Sequence, residues 1–217
     1  MSLYTPKFLT ILALSVIGCE SSPVPDSIDL DSFELATAFT DLDLAKLSPT
    51  AASGYVELRK QLAFGRQNEY EVLGTAGEIC SNAEKASECQ AQFSELLGSV
   101  SDGFYPIDHP SDKFHYLAVT QAGMATIVGR ESSMRSFLGT IDNETEAFML
   151  VAAYGYWWSA TAKSEGAIRR VDTGFEVIAE ETSFCAEHKR YLLHVAFTGD
   201  VTELENWVLN PGSTSCG

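Results

Sequence analysis

Hydrophobic and polar positions divide the chain into a leader, an irregular stretch and a periodic body. From Phe8 to Ile17 only Thr10 and Ser15 interrupt the apolar run, and Lys7 is the one charged residue before Cys19. Ten such residues as a helix reach about 15 Å, half of a bilayer's hydrocarbon core, so this is an h-region behind a short n-region, not a permanent span. From Cys19 to Leu30 the sequence CESSPVPDSIDL has no apolar period and reads as a tether. Fully extended at about 3.3 Å per residue, it holds the folded body up to some 40 Å away. Between Asp31 and Gly65, Phe33, Leu35, Leu42, Leu44 and Leu47 choose neither period two nor 3.6. After Ser48-Pro49-Thr50, however, Tyr55, Leu58, Leu62 and Ala63 recur at helical spacing and predict a helix over 51–64.

The rest of the body is better patterned. Tyr70 to Thr75 suggests a strand, with Gly74 and Gly77 breaking it, and Ala83 to Leu97 has the composition of a helix stopped by Gly98. His115 to Thr120 and Met124 to Val128 are β-rich runs around Gln121-Ala122-Gly123, a hairpin. A short helix is expected over Ser132 to Leu138. Asp142 is placed as the N-cap of a further helix, with Glu144 and Glu146 in its first turn; Ala147 to Tyr154 is apolar all round, so that helix should be buried. Its tail, Tyr154-Gly155-Tyr156-Trp157-Trp158, reads as core or helix-end packing ahead of a ligand platform. Ala167 to Val171 and Phe175 to Glu181 flank the three-residue loop Asp172-Thr173-Gly174, and Tyr191 to Thr198 and Val201 to Val208 flank a two-residue turn, Gly199-Asp200. The fold class is α+β: an antiparallel sheet of hairpins drawn mostly from the C-terminal half, with helices packed on one face. Residues 31–217 form one ectodomain, after a leader at 1–18 and a tether at 19–30.

Composition narrows the partners. The 217 residues are 45% hydrophobic and 11% aromatic, enough for a stable core, and carry 30 Asp and Glu against 14 Lys and Arg for a formal charge of −16. Such a surface repels nucleic acid and anionic headgroups and favours a protein or cationic partner. Besides Cys19 there are four cysteines, Cys80, Cys89, Cys185 and Cys216, none at the close spacing of structural zinc sites, so two disulfides and no metal are expected. An unbroken helix separates Cys80 from Cys89 by about 13.5 Å, against the 4.4 to 6.8 Å that a disulfide needs, so their pairing demands a turn at Ser81-Asn82. A tight turn at Gly199-Asp200 brings Cys185 opposite residue 214, near Cys216, and sets His194 opposite Glu205. Tyr191, Leu193, Val195 and Phe197 then face the core and His194 faces away. A carboxylate opposite an imidazole favours its charged form, so His194 and Glu205 are a candidate ligand-contact or pH-sensing pair; the plainer reading is a cross-strand surface pair.

Val16, Ile17 and Gly18 ahead of Cys19 resemble the lipobox of bacterial lipoproteins. The resemblance implies a thioether-linked diacylglycerol on Cys19, cleavage before it, and acylation of the new amino terminus. With Glu20 instead of Asp at the second mature position, it also implies the outer membrane of a Gram-negative-type envelope. Attachment through lipid suits an acidic chain, since two or three acyl chains hold stably where one binds marginally. The stretch FEVIAEETSFCAEHKRYLLHVAFTGDVTELE is similar to the ends of uncharacterised Gram-negative lipoproteins with paired cysteines. That likeness implies topology and disulfides and transfers no site.

No G-x-S-x-G, H-E-x-x-H, Walker, G-x-G-x-x-G or EF-hand pattern is present, and no cofactor is expected. Asp29/Asp31 and Asp41/Asp43 are D-x-D pairs that read as solvated acids, because no calcium-loop ligand series comes after them. Asn143-Glu144-Thr145 fits the glycosylation pattern by accident. The histidines are His109, His115, His188 and His194; Asp108 beside His109 reads as a turn residue. Two function classes stand: a binding or structural envelope lipoprotein, and an envelope hydrolase with a site assembled from scattered His, Asp and Glu. The absence of a nucleophile motif favours the first. A pocket joining a histidine to a carboxylate and a hydroxyl would favour the second.

Overall fold

The computed structural model describes residues 24–50, 53–62, 69–98, 103–104, 113–181 and 188–210. In chain order its elements are β1 (Glu34–Leu35), β2 (Ser53–Leu62), β3 (Tyr70–Gly77), α1 (Ala86–Ser94), β4 (Lys113–Gln121), β5 (Met124–Val128), α2 (Glu131–Leu138), α3 (Glu144–Ala153), β6 (Tyr156–Trp157), β7 (Ala167–Val171), β8 (Gly174–Glu181), β9 (His188–Ala196) and β10 (Val201–Asn210). The α+β class holds, with antiparallel pairing throughout the described strands. The single mostly C-terminal sheet does not. There are two sheets, one ordered β3-β2-β4-β5 and one ordered β1-β7-β8-β9-β10 with β6 also on β8.

The first sheet replaces the helix expected over 51–64. Tyr55, Leu58 and Leu62 are spaced for a helix, but β2 lies between β3 and β4, and this pairing on both sides fixes it as a strand. Val56 and Leu58 enter the main core, while Glu57, Arg59 and Gln61 are buried on the other face. There Arg59 Nε donates to Glu57 Oε1 at 2.6 Å and Nη1 to the Leu96 carbonyl at 2.5 Å, with the guanidinium 4.0 Å and 4.7 Å from the Tyr70 and Phe93 ring centres. Tyr55 donates to Glu57 Oε2 at 2.8 Å; burial and that carboxylate push its pKa up to about 12. Every buried charge on this face therefore has partners, as burial requires. Over the same face lies α1, stapled by the expected Cys80–Cys89 disulfide, whose Cα atoms are 5.9 Å apart across a turn at residues 79–82.

The β4–β5 connection is the two-residue turn Ala122-Gly123, with φ of 50° and 80°. Both residues are left-handed, as a type I′ hairpin requires. Further on, α2 forms where expected, and α3 is buried on all sides from Thr145 to Ala152. Its cap is Asn143, not Asp142. Asn143 Oδ1 accepts from the Glu146 amide at 3.2 Å, while the Asp142 amide donates to Glu146 Oε2 at 2.7 Å and the Ser48 amide donates to Glu146 Oε1 at 2.7 Å. Buried Glu146 thus ties the chain before β2 to the start of α3. The helices do not share one face: α1 sits outside the first sheet, while α2 and α3 contribute to one core with residues of both sheets.

In the second sheet, Phe175, Val177, Ala179, Tyr191, Leu193 and Val195 face that core. Gly174 opens β8 instead of closing a three-residue loop: a Cβ there would lie 2.0 Å from the Val195 carbonyl oxygen, so only glycine lets β8 and β9 meet. The outer face carries Ala167, Ile178, Leu192 and Trp207, covered by Ile28 and Phe33. Residues 24–30 are accordingly not free tether. Their proline- and acid-rich composition hides Ile28, which packs on the sheet, and Ser27, whose hydroxyl donates to Glu205 at 3.0 Å.

Candidate functional site

The two sheets share a core but do not close at every edge. Along the core face of the first sheet the cross-strand pairs are Val56 with Val119, Leu58 with Leu117, and then Lys60 with His115. Alternation keeps all six on one face, so the apolar row ends in a lysine and a histidine. Lys113, two residues before His115, shares their side. Here a cleft of about 760 Å³ opens, walled across from His115 by Trp157, Trp158, Glu180, His188 and Arg190.

His115 is only 6% exposed. Its ring meets Phe39 edge-on at 5.3 Å and lies nearly parallel to Phe104 at 6.2 Å, and its backbone exchanges two hydrogen bonds with Phe104. Burial, and after it the charges of Lys60 and Lys113, lowers its pKa to about 3, so the imidazole is neutral near pH 7. Nδ1 is buried without a hydrogen-bond partner among the described residues. Leaving such an atom unsatisfied costs about 1 to 3 kcal/mol.

The opposite wall comes from the β8–β9 register, which sets Glu180 against Arg190. Glu180 Oε1 accepts from Arg190 Nε at 2.9 Å and also from Nη2, while Oε2 lies 2.7 Å from His188 Nε2. The His188 ring stacks on Trp157 at 6.2 Å and 16°. Trp158 is fixed deeper: Nε1 donates to the Thr37 carbonyl at 2.8 Å and its ring stacks on Phe148 at 4.5 Å. In the loop after β6, Thr161 Oγ1 donates to Glu165 and lies 2.7 Å from Ser159 Oγ; hydrogen bonds from Thr161 and Ser159 hold the Glu165 carboxyl below the usual carboxylate range. The aromatic tail after α3 is thus divided, Trp158 to the core and Trp157 to the cleft.

His194 and Glu205 are not brought together. The β9–β10 connection is the four-residue segment 197–200, so His194 faces Thr202 on one side and Glu176 on the other, with Nε2 2.9 Å from Thr173 Oγ1. A register shift between Glu203 and Glu205 then leaves Glu205 opposite Leu192. The cause is the longer loop and the irregularity at Leu204. Neither residue lines the cleft. Cys80 and Cys89 are joined as expected, whereas Cys19, Cys185, Cys216, Asp108 and His109 lie outside the described residues. Asp29 and Asp43 cap 3-10 turns by accepting from the Asp31 and Ala45 amides, each at 3.1 Å. Among the described residues no three His, Cys, Asp or Glu side chains gather as a metal site, and no helix is long and apolar enough to cross a membrane.

His115 and His188 were visible in the sequence only as two histidines among four; Lys60, Lys113, Trp157, Glu165, Glu180 and Arg190 carried no motif. The signal that does exist is alternation, which puts Glu180 with Ile178, and Arg190 with Leu192, on one face of a hairpin. No known family, curated protein or solved structure matches the chain. Function has to be read from the cleft's own chemistry.

Proposed function

We propose that the protein is a lipid-anchored binding protein of the bacterial cell envelope, held at the outer membrane through Cys19, with the cleft between His115 and Trp157 as its ligand site. The observation that carries the binding role is the cleft itself, which brings His115, Lys60 and Lys113 from one sheet together with the half-buried Trp157 and the polar wall of the other. A concave, aromatic-lined site with a few convergent polar groups is the form that a small-molecule site takes. Anchoring rests on Val16 to Cys19 and on the length of the leader. A second disulfide, Cys185 to Cys216, remains part of the proposal. His188 and Asn210 are Cα partners, so the described residues that adjoin the two cysteine-bearing segments lie opposite one another.

The hydrolase reading has one observation in its favour, the His188–Glu180 contact in a cleft also lined by the hydroxyls of Thr40, Ser159 and Thr161. The chemistry of the wall supports binding instead. Glu180 is engaged by Arg190, and the hydroxyls of Ser159 and Thr161 serve Glu165, so a nucleophile and its base are not paired.

Mass spectrometry of the membrane-fraction protein tests the anchor. An N-terminal peptide beginning at Cys19 with acyl mass is expected, and Cys19→Ser should abolish that mass; a mature chain that keeps residues before Cys19 would sink the idea. Native mass spectrometry of the detergent-extracted full chain tests the cleft. A small-molecule adduct lost on Trp157→Ala is expected, and an adduct unchanged by that substitution would place the site elsewhere.

A further inference from the structure

We infer that the ligand is an acidic saccharide: hydroxylated sugar rings bearing a carboxylate, with an apolar ring face on Trp157 and the carboxylate directed to Lys60 and Lys113. This rests on the reading of the cleft as a ligand site and goes on to name what fills it. Three of the chain's 14 Lys and Arg residues, Lys60, Lys113 and Arg190, line a cleft holding two of its 30 Asp and Glu residues, Glu165 and Glu180. The local charge therefore runs against the charge of the whole molecule, and a cleft lined in that way attracts an anion.

Position sharpens the argument. Lys60 pairs across the strands with His115, and Lys113 stands two residues from His115 on the same face, so both ammonium groups project from the end of the sheet on which Nδ1 is buried. Their other attachments are loose. Lys60 has only the exposed Glu71 at 3.8 Å, and Lys113 forms no ion pair among the described residues. By contrast Arg190 is committed to Glu180, which leaves the two lysines to receive an anionic group through charge-assisted hydrogen bonds.

The Glu165 carboxylate disfavours a plain aromatic acid. Such a ligand has no donors, and covering Glu165 with it would strip its water without replacing the hydrogen bonds, whereas Glu180 is already engaged by Arg190 and His188. Sugar hydroxyls supply those donors. The half-buried Trp157 ring, backed by His188, gives a flat apolar surface for the C–H face of a sugar. At about 760 Å³ the cleft is larger than a single small ring needs and falls within the range of sites that hold drug-sized ligands.

The test is calorimetric titration of the full chain, in neutral detergent micelles, with three probes: digalacturonate, the neutral disaccharide cellobiose, and phenylacetate. Digalacturonate should bind saturably, with cellobiose and phenylacetate at least about tenfold weaker. Lys113→Gln should weaken digalacturonate by about tenfold and leave cellobiose unchanged, while Trp157→Ala should weaken both. Lys60→Gln and a rise in salt give the same charge readout if Lys113→Gln folds poorly. Equal binding of cellobiose and digalacturonate would overturn the acidic part of the assignment, and tighter binding of phenylacetate would overturn the saccharide part. If none of the three binds while native mass spectrometry shows an adduct sensitive to Trp157→Ala, the saccharide is wrong and the cleft stands. Silence in both experiments removes the two together.

Discussion

The outer faces of the two sheets are covered by different elements. On the first sheet Glu57, Arg59 and Gln61, an ion pair and an amide, are buried with Phe114, Tyr116 and Ala118 beneath a helix that a disulfide holds in place. On the second, Ala167, Ile178, Leu192 and Trp207 lie beneath an N-terminal strap that contributes Ile28 and Phe33, with the Glu180–Arg190 pair on the same face beyond them. A buried ion pair loses most when one member is removed, because the remaining charge stays buried. An apolar cluster under a strap loses in proportion to what is cut away. Equal burial thus implies different responses to mutation.

The sharpest break should come from Glu57→Leu. It leaves Arg59 with the Leu96 carbonyl and two aromatic rings but no carboxylate, and should lower stability by about 3 to 5 kcal/mol. Adding Arg59→Met should recover much of that loss; a double variant as unstable as the single one would show that the pair is not the cause. Phe33→Ala in the strap should cost about 3 kcal/mol with no comparable rescue, read as a shift in the urea midpoint. Next comes the covalent staple: Cys80→Ser with Cys89→Ser should cost roughly 2 to 3 kcal/mol in the chain-entropy model, and an unchanged melting temperature would contradict it.

Smaller effects probe the edges. His115 has its folded pKa lowered to about 3, against an unfolded value near 6.5. Between those values the unfolded chain binds the extra proton, so this contribution is full above pH 6.5 and falls as pH drops toward 3. From pH 7 to 5.5 the loss should be about 1.3 kcal/mol, and His115→Phe should flatten that part of the stability profile. Smallest of all, Ala122→Gly should gain up to about 1 kcal/mol, because alanine holds a φ of 50° in the β4–β5 turn. A loss there would mean that the alanine methyl packs against something worth keeping.

Hairpins with clean alternation and a marked turn were legible in the sequence: β4–β5, β7–β8 and β9–β10 each lie close to where the pattern puts them. So was the buried α3, apolar on every side. β2 was not, because Tyr55, Leu58 and Leu62 satisfy a helical period and one of its two buried faces is polar; only pairing with strands on both sides decides the matter. Register failed for a different reason. A loop of four residues and an irregularity at Leu204, 52% exposed, moved His194 and Glu205 apart, and neither feature has a signature in the residue types. The cleft was illegible as a site, since its walls come from residues 38 to 190 and become neighbours only once both sheets exist.

The strap has a consequence in time. Ile28 leaves the ribosome early, whereas Leu192 and Trp207, which it covers, are separated from it by about 165 and 180 residues. At 5 to 20 residues per second, synthesis leaves its apolar side uncovered for roughly 10 to 40 s. During that interval no local partner is available, and the long separation makes closure slow even after the last strand is complete. A holdase that recognises short apolar segments would find residues 24–35 before the protein's own C-terminal strands do, and Phe33→Ala, though destabilising once folded, should weaken that capture.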